Sequence, residues 1–188
     1  MEDDDAQRAV TYGLFAARAL HDAEEPAFGP RWLRAHLPAL RERFPGVPDR
    51  VWEAAAAVDE REFAVAVGAM GVIVAAASAA GARTGGRSGS HQGALTGFGL
   101  HGLVHMAQAA AVRGYTPGSV TSPLIVVPFT LWARGRLRRA GVLRPARARD
   151  ARAGLALATA STILSHAVAR RIAGPRSGAR KPGRTLRT

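Results

Sequence analysis

The sequence predicts an all-α protein: a polytopic membrane helical bundle of about five transmembrane helices plus a short interfacial helix. Three observations carry that expectation. Four runs, Phe63–Ala82, Ala94–Val112, Gly114–Ala133 and Ala153–Ala169, contain no Asp, Glu, Lys or Arg. Each approaches the ~20 apolar residues that cross a bilayer, the last being the shortest. Arginines crowd the gaps between them, so a mean hydropathy near zero averages two populations. Finally, four such runs in 188 residues are hard to house inside one soluble core. An Ala-rich soluble core is the competing reading, because stretches such as Val74–Ala80 insert less strongly than Leu-rich ones.

The first and weakest helix is expected from Ala6 through Leu20, continuing across His21–Glu25 and stopping at Pro26, which cannot extend a helix comfortably. Ala17-Arg18-Ala19 imitates a signal-peptidase site. The acidic start Met1–Asp5 and Arg8 within the apolar stretch argue against cleavage. A polar connection, Pro26–Arg61, is punctuated by Pro30, Pro38, Pro45 and Pro48. Inside it Trp32, Leu33, His36, Leu37 and Leu40 recur at helical spacing beside Arg31, Arg34 and Arg41. That pattern predicts the interfacial helix, anchored by Trp32.

The second spanning helix starts between Glu53 and Phe63 and ends near Gly81. A Gly/Ser turn, Gly85–Ser90, leads into a third that ends near Arg113. Gly114–Gly118 reads as a tight turn, with Pro117 fixing φ and Gly118 permitting φ > 0. The fourth helix carries Pro123 and Pro128 and should kink or begin near Pro123. The fifth run ends at Arg170-Arg171, and residues 174–188 form a basic, disordered tail after a single domain spanning 1–173. The loop Arg134–Arg152 and the tail are both strongly basic, yet one span between them puts them on opposite sides. Orientation therefore stays open.

Composition removes several chemistries. The chain has no cysteine, which excludes disulfides, thiolate ligands and Cys nucleophiles. Its formal charge of +12 is almost wholly arginine, Lys181 being the only lysine. No aromatic residues interleave with the arginines of 174–188, so no nucleic-acid partner is expected. Anionic lipid headgroups and the bilayer itself are the simpler partners.

The polar residues of the apolar segments carry the chemistry. His21, Glu24 and Glu25 stand at i, i+3 and i+4, one turn apart on a helix. His101 and His105 are i, i+4 on a later helix, and Gln108 continues their face. Two histidines one turn apart are a bidentate platform for zinc or iron. The metal ligands are then His21, Glu25, His101 and His105. Glu24 and Glu25 are the candidate catalytic carboxylates, as general base or as the acceptor that fixes a histidine tautomer.

Tyr115 and Thr121, on the turn after the His101/His105 helix, are candidates for a pocket rim. Tyr115 also suits an interfacial belt, and Thr121 a helix cap. His166 shares a face with Thr159 and Thr162. It is a further candidate ligand or relay, with interhelical hydrogen bonding the plainer role. Glu24 or Glu25 can instead pair with Arg18. His36 and His91 read as solvated and incidental.

His21-Asp22-Ala23-Glu24-Glu25 at the end of a first apolar helix, then His101 to His105, then Tyr115-Thr116-Pro117-Gly118-Ser119-Val120-Thr121, resembles the HXXEE family of bacterial membrane proteins. The resemblance spans roughly residues 8–170 and implies a membrane-embedded enzyme whose activity is undetermined. The residues themselves support a metal-dependent hydrolase acting on a lipid or other apolar substrate, and the resemblance implies the bacterial cytoplasmic membrane as its location. A small transporter or proton relay, and a non-catalytic interaction module, are the alternatives. The absence of inverted repeats weakens the transporter reading, and neither a nucleotide loop nor Gly-x-Ser-x-Gly is present.

Overall fold

The computed structural model of the chain describes residues 2–145, 160, 163–169 and 171–172. Thr159, Thr162 and the expected tail 174–188 lie outside them. All regular structure among the described residues is helical. α1 spans Glu2–Asp22, α2 Glu24–Arg43, α3 Asp49–Ala56, α4 Glu60–Arg83, α5 Gly89–Val112 and α6 Val127–Arg139, the last preceded by a π-helical turn, Ser122–Val126. Residues 163–169, in the fifth apolar run, are also helical.

The first helix differs from expectation at its end. Pro26 offers no N–H to the carbonyl of Asp22, and its ring crowds that oxygen. The helix therefore ends at Asp22, passes through Ala23, and restarts at Glu24 instead of running on to Pro26. Pro26 does not stop α2. It is the third residue, in the first turn, where an N–H has no intrahelical partner to lose. The expected interfacial segment around Trp32 is the middle of this one 20-residue helix, which continues through Pro30 and Pro38. Arg34 pairs with Glu60, tying α2 to the start of α4.

The connection to α4 holds a helix the proline punctuation hid. α3 begins right after Pro48, whose extended backbone (ψ 143°) sets the turn-in. α4 is capped by Asp59, whose Oδ1 accepts the Glu62 N–H at 2.7 Å. α5 ends on Arg113 in the left-handed region (φ 56°).

The kink expected near Pro123 is present as a widened turn. Pro123 stands at its second position and Pro128 two residues beyond its end, each removing a backbone donor. The Val127 N–H reaches back five residues to the Ser122 carbonyl. Helix in the fourth run thus begins only at this turn and extends past the run to Arg139, carrying Arg134, Arg136, Arg138 and Arg139.

α1, α4, α5 and α6 share one core: Val10, Leu14 and Ala17 of α1, Val74 of α4, Leu95 and Phe98 of α5, and Val126, Ala133 and Leu137 from the π-turn and α6. Glycines let the backbones close. A Cβ on Gly102 would stand 2.7 Å from Val126, and one on Gly99 2.8 Å from Thr130. By length and composition, one helix among the described residues, α4, is apolar enough to cross a membrane. Five spans are not carried by the helices individually.

Candidate metal centre

The break at Ala23 separates the two carboxylates of the motif. His21 ends α1 fully buried, its ring edge-on to Phe98 of α5 at 5.9 Å between centroids. Glu25, on the first turn of α2, turns inward with His21. Glu24 turns toward residues 115–121. The shared face expected for all three is thus split between two helices.

Four side chains converge. His21, Glu25, His101 and His105 each offer a ligand atom, and these atoms lie within 4.8 Å of one another. The Nε2 atoms of His101 and His105 are 3.0 Å apart. Glu25 Oε1 is 2.9 Å from His105 Nε2 and 3.6 Å from His101 Nε2. The His21 ring meets those of His101 and His105 at 5.0 and 5.1 Å. Its Nε2 is buried without a hydrogen-bond partner.

A buried polar atom left unpaired among three imidazoles and a carboxylate is costly unless something occupies the gap. Two nitrogens ~2.0–2.1 Å from one tetrahedral zinc stand roughly 3.3 Å apart, near the separation seen here. Three imidazoles and a carboxylate also suit non-haem iron. The group can hold a metal ion.

His21 is oriented from behind. Its Nδ1 lies 2.7 Å from Thr121 Oγ1, which donates to Glu24 Oε2 at 2.7 Å. The threonine proton is spent on the carboxylate, so the hydroxyl oxygen accepts from His21 Nδ1–H, leaving the Nε2 lone pair aimed into the cluster. Glu24 also accepts the Thr121 backbone N–H at 3.2 Å and the Tyr115 hydroxyl at 2.8 Å. Burial would raise its carboxyl, but the bonds from Thr121 and Tyr115 outweigh that and hold it below its ordinary range. The Tyr115 phenol is pushed up to about 12, by burial first and then by its hydrogen bond to Glu24 and that group's charge.

Gly118 completes the back wall. At φ 85° it lies so close to His105 that a Cβ would come within 2.6 Å of the ring. Only glycine serves both the positive φ and this approach. His101 keeps 31% side-chain exposure, against 9% for His105, so the cluster opens on the His101 side.

The remaining sequence candidates lie elsewhere. Gln108 is exposed one turn beyond His105. His166 faces Glu62 of α4 at 3.3 Å. Arg18 pairs with Asp22, four residues on, and not with Glu24 or Glu25. His36 is exposed as expected, but His91 is not solvated. It is fully buried in the first turn of α5, its ring so close to Gly81 that a Cβ there would collide. Reasoning from sequence missed Phe98 and the closeness of Gly118 to His105. The Pro117-Gly118 pair was the available signal for the second.

A family model described as a protein of unknown function with HXXEE motif matches residues 12–133. The chain belongs to the HXXEE family. The match holds every residue of the cluster and of the Thr121–Glu24–Tyr115 support. The His and second Glu of the HXXEE motif thus stand in the cluster, while its first Glu stands behind the His. No curated protein and no solved structure matches the chain.

Proposed function

We propose that this protein is a metal-dependent hydrolase embedded in a bilayer, acting on a lipid or another apolar substrate. The observation that carries the reading is the convergence of His21 Nε2, partnerless and fixed as an acceptor, on His101, His105 and Glu25. Membrane embedding draws support from α4 and from large apolar side chains left exposed: Val72 on α4, Leu103 and Val104 on α5, Leu124 in the π-turn and Leu131 on α6. Exposed apolar side chains of this size are expensive in water and favourable in lipid.

His21, His101, His105 and Glu25 would hold the ion, zinc or iron. A divalent ion there supplies Lewis acidity and makes water a nucleophile near neutral pH. The chain's own groups do the rest. Thr121 and Glu24 keep His21 in one tautomer, which makes them positioning residues. Hydrolysis adds water across the scissile bond, its hydroxyl joining the carbonyl carbon and its proton passing to the leaving oxygen, so an ester yields an acid and an alcohol. The exposed side of His101 is the approach for substrate, and the apolar helices around it exclude bulk water.

The unbroken chain Tyr115–Glu24–Thr121–His21 favours a second reading, a proton relay in a small transporter. Protein reconstituted into phospholipid vesicles separates the two. The hydrolase reading expects zinc-dependent release of fatty acid or headgroup, abolished by a chelator. Proton flux without lipid turnover would replace it with the relay.

A further inference from the structure

A second polar feature lies at the opposite end of α6 and owes nothing to the histidines. A cavity of about 330 Å³ is walled by Arg134, Arg138, Gly141, Leu143, Arg144 and Pro145. Among the described residues no carboxylate pairs with any of these three arginines. We propose that this cavity binds a phosphate group.

The cavity is held in shape by buried contacts. Gly141, at φ 67°, turns the chain back at the end of α6, where the Val142 and Leu143 N–H groups both reach the Leu137 carbonyl. Gln92, 7% exposed, then clasps the returning segment. Its Nε2 donates to the carbonyls of Gly86 and Val142 at 2.8 Å each, and its Oε1 accepts the Arg144 N–H at 2.8 Å. Arg134 and Arg138 are one turn apart on α6, so they face the same way. Arg134 Nη1 donates to Thr96 Oγ1 on α5 at 3.2 Å.

Among the described residues this positive charge has no carboxylate partner. Three arginines line one cavity, and the Arg144 guanidinium lies across Gly89, the first residue of α5. The positive end of that helix adds to theirs. Like charges held together by a buried glutamine clamp repel one another, and an anion among them relieves the repulsion.

The type of anion follows from the donors. One guanidinium fork saturates a planar carboxylate, whereas three arginines, two on one face of α6 and the third on the returning segment, match the several oxygens of a tetrahedral phosphate. Gly141, Leu143 and Pro145 provide no aromatic surface on which a base could stack. The family match ends at residue 133, one residue before Arg134, so the site lies outside the shared segment. Its phosphate can come from a lipid headgroup or from a free phosphate in solution.

The test uses the full chain and two probes, inorganic phosphate by calorimetry and phosphatidylglycerol by native mass spectrometry, with diacylglycerol as the uncharged control. The expected result is saturable binding of about one phosphate group per chain. Arg138→Gln/Arg144→Gln weakens it at least ~10-fold, because charge-assisted bonds are lost. Arg138→Lys/Arg144→Lys retains part of it, and Arg41→Gln on α2 leaves it unchanged. Circular dichroism checks that each variant remains helical. Binding of phosphatidylglycerol alone assigns the site to a headgroup, and binding of inorganic phosphate as well assigns it to free phosphate. Binding of neither probe, or equal loss in Arg41→Gln, overturns the proposal.

Discussion

α4 and α5 are the same length, 24 residues, and pack against each other, but they do opposite jobs. α4 is the one described helix apolar enough to cross a membrane by itself, and it contributes nothing to the His/Glu cluster. α5 supplies His101 and His105, and those side chains, with Gln108 and its glycines, lower its hydropathy. Their glycines differ as well. Gly68 and Gly71 in the middle of α4 face open space, whereas Gly99 and Gly102 of α5 are pressed against Thr130 and Val126; at the other ends, Gly81 of α4 is pressed against His91 and Gly93 and Gly97 of α5 are open. One helix is a support, and the other is shaped around a site. The difference teaches that polar side chains placed along an otherwise apolar helix lower the hydropathy by which a membrane span is recognised.

The sharpest way to break this comparison is to remove a ligand from α5. His105→Ala is expected to lower metal affinity more than ~100-fold, whereas Gly68→Ala on α4 leaves it unchanged; isothermal titration with zinc reads both. Removing a support of the centre should cost less. Thr121→Val takes away the acceptor of His21 Nδ1–H, and affinity should fall about 10–100-fold while the helical content stays the same.

The glycine contrast predicts stability changes of opposite sign. Gly102→Ala forces a Cβ onto Val126 and should destabilise by about 1–3 kcal/mol. Gly71→Ala meets no neighbour and should stabilise by about 0.4–1 kcal/mol through the unfolded chain. Thermal unfolding compares the two directly, and equal losses would remove the distinction between the helices.

The smallest effect is in pH dependence. Folded Tyr115 keeps its proton up to about 12, while the unfolded chain loses it near about 10. Its contribution is complete below about pH 10 and is lost as pH rises through the folded value. Glu24 has the opposite sign: its depressed carboxyl stabilises above its unfolded value, a contribution lost as pH falls through the lower folded one. Tyr115→Phe should therefore flatten the alkaline limb of stability against pH. Glu24→Gln should flatten the acid limb.

The helical class was readable because long charge-free runs leave few alternatives, and the π-turn was foreshadowed by Pro123 and Pro128. The boundary at Asp22 was harder to read. Pro26 acts on a carbonyl four residues earlier, so the helix ends before the proline and not at it. His21, His101 and His105 were legible as ligands from helical spacing. The separate direction taken by Glu24 was not, because it depends on the Ala23 break and on Thr121, nearly 100 residues away. His91 looked like a loop residue for a related reason. A Gly/Ser stretch reads as exposed, but Ser88 caps α5 there, so His91 is drawn into the first turn against Gly81. The arginine cavity was hidden by the general basicity of the chain, in which no three arginines stand out without their positions in space.

Elemental analysis of the full chain, purified without chelators, tests the central claim most directly. About one zinc or iron per chain is predicted, falling to background in both His101→Ala and Glu25→Ala. Metal-free wild type that takes up no zinc on titration, or variants that keep the full complement, would contradict the account.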